Sequence, residues 1–260
     1  MITHEPAILR RAFLKGAAAG VGTLAMGGCD QLSSSTNVKW ALGSAENLNF
    51  YTQRLLLAPG QLAREYNPAD IAPRFKANGS TDPQDGAYLA YAANGFADWR
   101  LKIGGLVERP TDYSLAELRA FPSRTQITRH DCVEGWSAIG KWTGVPLANV
   151  LMRVGLKPQA RFLVFSCSDT LGGSLSGAKY YESIDLVDAI HPQTMLAYEL
   201  NGETLPVANG APVRLRVERQ LGYKMAKYVK AIDAVDSFAT LNGGKGGFWE
   251  DRGYEWYAGI

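Results

Sequence analysis

The chain is poor in the residues that usually carry redox groups: among 260 residues there are three cysteines, at 29, 132 and 167, and three histidines. It contains no Cys-x-x-Cys-His stretch and no clustered cysteine set. A covalently attached c-type haem and an iron–sulfur cluster held by this chain alone are therefore excluded. Charge of one sign is also scarce in any one place. The 27 Lys and Arg against 25 Asp and Glu leave a formal charge of +2 with no long run of either sign, which argues against a nucleic-acid partner. There is no internal repeat, no heptad pattern and no apolar run long enough to span a bilayer. What is present is ordinary material for a sizeable core: 46% hydrophobic and 20% charged residues.

The first 28 residues are of a different composition. Arg10 and Arg11 precede Phe13, Leu14 and Lys15, followed by an Ala/Gly-rich apolar stretch, the order expected of a twin-arginine export signal. That reading predicts a periplasmic protein delivered folded, with any cofactor inserted beforehand. The stretch ends Leu-Ala-Met-Gly-Gly before Cys29, which resembles a lipobox apart from Met26. Lipidation at Cys29 would hold the protein on a membrane face, with residues 29–46 as a polar tether. Residues 47–260 then form the folded domain.

With Cys29 assigned to export, Cys132 and Cys167 remain. On spacing alone a disulfide between them, a buried inert thiol, and a reactive or metal-binding thiolate all stay open.

Residues 40–97 lack regular pattern and are rich in Asn, Pro, Gly and aromatics, so a loop-rich wrapping segment with at most short helices is expected. Alternation around Leu101, Ile103 and Leu106 predicts a strand with a bulge or turn at Gly104 and Gly105. Ser114 and Glu117 form a capping box for a short helix that Pro122 ends. Leu147, Val150, Leu151 and Val154 mark one face of another helix. Further strands are expected at Ile127–Cys132, Arg161–Asp169, Ala211–Arg219 and Lys227–Phe238, with a hairpin at Asn201 and Gly202. Short helices among many strands predict a mixed, strand-rich α+β single domain.

Three ordered stretches carry a family resemblance: residues 99–122, residues 132–151 beginning Cys-Val-Glu-Gly-Trp, and residues 188–217 with Asn-Gly-Ala-Pro-Val-Arg. From about residue 47 to the C-terminus the chain resembles the molybdopterin-binding domain of the sulfite oxidase superfamily, in the branch that contains the periplasmic methionine sulfoxide reductases. The resemblance implies a molybdenum–molybdopterin cofactor with Cys132 as the thiolate ligand of the metal, which suits a soft anionic donor. Arg129 and His130 would help stabilise that thiolate, and Trp136 and Trp142 would pack around it or simply serve the core. Asn209, Arg214 and Lys227 match positions that hold the pterin and its phosphate end, with Met225 and Ala226 contributing main-chain groups. Asn49, Tyr51 and Thr52 resemble a stretch near the cofactor. Cys167 falls where the branch has a threonine facing the cofactor. Lys224 and Lys230 read as solvated strand-edge lysines, and His191 as a structural histidine at a helix end.

The implied function is oxygen-atom transfer, in the reductive direction, on a small sulfoxide or related oxo substrate. With no haem-attachment or iron–sulfur motif in the chain, electrons would come from a separate protein, and the family resemblance implies that this donor is a membrane cytochrome b. Two alternatives remain, a sulfite dehydrogenase and a non-catalytic cofactor-binding lipoprotein. Glu134, two residues after Cys132, counts against an anionic substrate such as sulfite. The cytochrome and C-terminal sandwich domains of animal sulfite oxidases have no counterpart in these residues, so a monomer is expected. Loops within residues 53–97 and 168–183 would shape the substrate pocket.

Overall fold

The computed structural model describes residues 35–171 and 177–260, and the chain divides into two compact units, residues 1–53 and 54–260. The twin-arginine segment and Cys29, with the export and lipidation expected of them, lie outside the described residues. Within the first unit the chain is helical: α1 (Thr36–Leu56) runs unbroken through the expected boundary at residue 46. This corrects the loop-rich reading of that stretch. No proline occurs from residue 36 to residue 58, so nothing interrupts the hydrogen-bond ladder, and Pro59 follows the helix end. The last residues of α1 belong to the second unit, where Arg54 pairs with Asp185 and Asp188 at 2.7 and 2.8 Å.

The second unit is strand-rich with short helices. Its helices are α2 (Gly86–Ala93), α3 (Leu115–Ala120), α4 (Leu147–Val154) and α5 (Leu186–Ala189). One five-stranded sheet joins β1 (Arg100–Gly105), β2 (Thr111–Ser114), β5 (Phe162–Thr170), β6 (Lys179–Asp185) and β10 (Val229–Val235) in the order β2-β1-β10-β5-β6. The other has β3 (Arg124–Asp131), β4 (Ser137–Pro146), β7 (Met195–Leu200) and β8 (Glu203–Thr204) in that order, with β9 (Arg214–Arg216) also paired to β7. Only β1 and β10 run parallel among the described pairs.

Local chemistry accounts for most of these elements. The Ser114 hydroxyl accepts from the Glu117 backbone N–H at 3.1 Å while the Glu117 carboxylate accepts from the Ser114 N–H at 2.7 Å, so α3 begins on the predicted capping box. On α4 the four predicted apolar residues are the buried ones. Burying each stabilises by about 1.5–3 kcal/mol before entropy is counted. Asn201 and Gly202 take left-handed φ values of 56° and 90°, which closes the β7–β8 hairpin. Gly105, at φ 73°, meets the Ala234 backbone so closely that a side chain there would collide with it, which fixes how β1 lies on β10. Two strands, β4 and β6, escape the apolar-alternation signal. The inward positions of β4 are Ala138, Gly140, Trp142 and Gly144, and β6 buries Glu182 and Ser183 along with its tyrosines.

The main core gathers Leu101, Ile103, Leu163, Phe165, Val229 and Ile232 with the buried face of α4. A smaller cluster surrounds Trp142 with Met195, Ala197, Leu200 and Leu205. The site forms where the β3–β4 hairpin tip meets the loops that precede α2, follow β8 and follow β9.

Candidate active site

The hairpin between β3 and β4 is closed by two main-chain hydrogen bonds, Cys132 N–H to the Trp136 carbonyl at 2.9 Å and Gly135 N–H to the Cys132 carbonyl at 3.0 Å. This tight tip presents Cys132, half-buried, to an open cavity. The loop at residues 75–80, the hairpin tip, Asp169 and Tyr180, Asn209 and Arg214, and residues 222–227 line it.

Two cations dominate the inner wall. Arg214 is 4% exposed, and its guanidinium donates to the Asn209 carbonyl at 3.0 Å and the Met225 carbonyl at 3.4 Å, with no carboxylate partner. Burial, then the charge of neighbouring Arg216, push Arg214 down to about 9. Arg216, one strand pair further in, is by contrast matched with Glu218 at 2.6 Å. Lys227 likewise has no carboxylate in hydrogen-bond reach. Its ammonium donates to the Asn78, Ser80 and Ala208 carbonyls, the first and last at 2.7 and 3.0 Å. Burial and the charge of Arg214 push Lys227 down to about 7, against the opposing charge of nearby Asp169. Two buried donors nearby lack any partner, Arg214 Nε and Asn209 Nδ2. Uncompensated buried cations and orphaned donors are costly unless an anion completes them. The wall also carries Asp169, 3% exposed, with Oδ1 unpartnered and its carboxyl pushed up to about 6 by burial.

The sequence-derived residues divide cleanly. Cys132, Asn209, Arg214, Met225 and Lys227 come together on this cavity. Arg129 does not: β3 alternates, burying Gln126, Thr128 and His130, so Arg129 points outward and pairs with Asp131 at 2.9 Å. His130 does line the cavity but carries no charge to offer a thiolate. Burial and the surrounding Arg216, Arg214 and Lys227 hold it well below its ordinary range, and its Nδ1 accepts from Arg216 at 3.0 Å. Gly222 lies flat on its ring, leaving no room there for a side chain.

Cys167 is a further correction. It is fully buried in the core and lines no part of the cavity. The pairing of β5 with β6 is irregular between Ser166 and Thr170, and Asp169 rather than Cys167 lines the cavity. Both Cys132 and Cys167 are free thiols, so the disulfide alternative is not realised. Ala226 is core, its carbonyl taken by Leu215 N–H. Asn49, Tyr51 and Thr52 are exposed residues of α1 in the first unit. Lys224 is no edge lysine: it is fully buried, with Glu182 at 2.5 Å and Glu250 at 2.6 Å. Lys230 is exposed and His191 is structural, its ring bonded to the Gln61 carbonyl and the Gln193 N–H. Trp136 lines the mouth beneath Lys76, while Trp142 is core packing. Glu134 is exposed at the mouth, accepting from Trp136 Nε1 at 3.0 Å. Solvent screening there weakens the objection it raises to an anionic substrate.

The loop bearing Lys76, Asn78 and Ser80 gave no sequence signal, and its only local cue is the Asn-Gly turn at 78–79.

Residues 88–240 match the model of the oxidoreductase molybdopterin binding domain. The chain belongs to this family. It is an oxidoreductase of the sulfite oxidase superfamily. Over 250 residues, 96% of this chain and 87% of the relative, it is 38% identical to a protein of Azospira oryzae with the provisional name protein-methionine-sulfoxide reductase subunit YedZ1. Over 148 residues it is 38% identical to the protein-methionine-sulfoxide reductase catalytic subunit MsrP of Xanthomonas axonopodis pv. citri, covering 53% of this chain and 45% of that one. Among solved structures, the sulfane dehydrogenase SoxCD of Paracoccus pantotrophus shares 27% identity at a TM-score of 0.48, over 54% of this chain and 39% of that one. That likeness is too slight to bear on the site.

The residues present fit the cofactor this family name implies. An acceptor-rich anionic end suits Arg214, with its free Nε, and Asn209, with its free Nδ2. The half-buried thiol of Cys132 is the soft donor on the same cavity. Among the described residues no group of three His, Cys, Asp or Glu side chains is placed to hold a metal, so a metal here would take its other donors from the cofactor.

Proposed function

We propose that this chain is the catalytic subunit of a periplasmic molybdenum–molybdopterin reductase that removes an oxygen atom from a sulfoxide or related oxo substrate. One observation carries the reading: a thiol and two cations without carboxylate hydrogen-bond partners among the described residues face one cavity. The names borne by the relatives above agree with it.

In this scheme Cys132 ligates the metal, and Arg214 and Asn209 bind the anionic end of the pterin, with Lys227 beside them. Bound molybdopterin supplies a metal that exchanges an oxygen atom with the substrate, while the protein binds, orients and keeps water out. Trp136, Tyr223, Trp249 and Tyr254 give the mouth an aromatic lining for the organic part of the substrate. Asp169, its carboxyl raised by burial and its Oδ1 unpartnered, is the group on the inner wall that can exchange a proton with the substrate, and oxo reduction consumes protons. Residues 1–28 direct export through the twin-arginine route, Cys29 anchors the mature chain to the membrane, and a membrane cytochrome b supplies electrons to this monomeric subunit.

The deciding experiment is metal analysis of the exported protein followed by a panel of sulfoxides and other oxo substrates with a reduced viologen donor. Stoichiometric molybdenum and sulfoxide-dependent viologen oxidation are expected. A protein without molybdenum would refute the reading. The exposure of Glu134 favours keeping a second reading, a sulfite dehydrogenase; sulfite-driven cytochrome reduction without sulfoxide turnover would select it.

A further inference from the structure

The loop at residues 75–80 reaches the reactive thiol from 54 positions earlier in the chain: Asn78 Nδ2 donates to Cys132 Sγ at 3.4 Å. That distance is a hydrogen bond to sulfur, longer than one to oxygen because sulfur is larger. The amide does not arrive there freely. Lys227 has three N–H donors, and all three are spent on main-chain carbonyls, two of them those of Asn78 and Ser80. Tyr228 Oη adds a second grip on the Ser80 carbonyl at 3.0 Å. Glu134, held below its ordinary range first by Trp136, is lowered further by the nearby Asn78 amide. The loop is thus pinned by Lys227 and Tyr228 with its amide on the thiol of the Cys132–Trp136 turn.

We propose that Asn78 is a positioning residue for Cys132: its amide N–H directs the sulfur into the cavity and withdraws electron density from it, setting the potential of the bound metal. The inference rests on Cys132 being the metal ligand. A hydrogen bond to a charged acceptor is stronger than one to a neutral acceptor. A thiolate that donates to an oxidised metal has less charge to share with the amide than one bound to a reduced metal. The N–H therefore favours the reduced state, and its loss lowers the potential, as hydrogen bonds to ligating sulfurs do in other metal centres. Lys227 acts in this scheme partly through the loop, which explains why its ammonium is fully coordinated by the protein while lining the cofactor cavity.

The test uses full-length exported protein with Asn78→Leu, which keeps the number and branching of the side-chain heavy atoms and removes both N–H donors, and Asn78→Ala as a smaller deletion that controls for leucine's added bulk. Molybdenum content, the Mo(V) electron paramagnetic resonance spectrum and the midpoint potential are measured, with Cys132→Ser alongside. Both Asn78 variants are expected to retain molybdenum, to show altered g-values, and to shift the oxidised-to-reduced ratio at fixed potential roughly tenfold toward oxidised, about 59 mV for a one-electron couple. Unchanged g-values and potential in a loaded Asn78 variant would overturn the proposal. So would failure of both variants to load, because losing one hydrogen bond should leave Cys132 available. If Cys132→Ser itself kept the wild-type molybdenum spectrum, the ligand assignment would be what failed, and the Asn78 result would be read separately from it.

Discussion

Replacing Arg214 with methionine should move stability in opposite directions with and without cofactor. In the cofactor-free protein Arg214 is buried with no carboxylate, and its displacement from 12.5 to about 9 corresponds to about 5 kcal/mol at most against the charged form. Methionine has similar length and no charge. It forfeits two hydrogen bonds, to the Asn209 and Met225 carbonyls, at about 1 kcal/mol each. The cofactor-free variant should therefore be more stable than wild type by about 2–3 kcal/mol, or roughly 5–10 °C in Tm for a domain of this size. Loaded protein should show the reverse. Losing charge-assisted contacts to an anionic group costs about 1.5–3 kcal/mol, enough to lower cofactor retention roughly tenfold or more. Arg216→Met is the comparison, because Arg216 already has Glu218, and breaking a buried pair destabilises whether or not cofactor is present. Thermal scans of protein made in a cofactor-deficient host and in a loading host, with metal analysis of the second, measure all four cases. A cofactor-free Arg214→Met variant that melts below wild type, or one that loads fully, would refute the reading of this guanidinium as half of an anion site.

Cys132→Ser should fold and export yet lose viologen-linked turnover, since a hard alcohol replaces the soft anionic donor; wild-type turnover in it would remove Cys132 from the site. Lys224→Met should cost about 3–5 kcal/mol by leaving Glu250 buried without its cation and Glu182 without its hydrogen-bond donor, and chemical denaturation reads this directly. Glu182 is held well above the usual carboxylate range, chiefly by burial. The folded state then binds a proton that the unfolded state has released, so this group erodes stability as pH rises above about 4.5. Glu182→Gln should therefore gain on wild type with increasing pH, and a stability difference constant from pH 4 to 7 would contradict it. Alkylation of the native protein should leave Cys167 unlabelled because it is fully buried, whereas Cys29→Ala should release the mature protein from membranes if lipid is its tether.

Much of the fold can be read from neighbours along the chain. The capping box at Ser114, the four-residue apolar face of α4 and the Asn201–Gly202 hairpin depend on contacts within a few residues, and each appears where its pattern falls. The position of Cys132 was also legible, because the residues flanking it stay with it in the hairpin. The stretch at residues 36–56 was misread because its Asn and Gly residues weaken helix propensity without breaking it.

Which side chains meet across the cavity was not legible, and the reasons are specific. Arg129 and His130 are adjacent, and the alternation of β3 against β4 and the packed interior sends one out and the other in. Lys224 and Lys227 look alike in sequence, yet two remote carboxylates claim the first and three loop carbonyls the second. Asp169, two residues further along β5, stands at the wall while Cys167 packs in the core. Asn78 carries no motif because its partner is distant in the chain. Periodicity and capping are encoded by hydrogen bonds and burial within a few residues. Charge state and ligand geometry depend on desolvation and through-space contacts among segments far apart in sequence, and those distances exist only after the chain has folded.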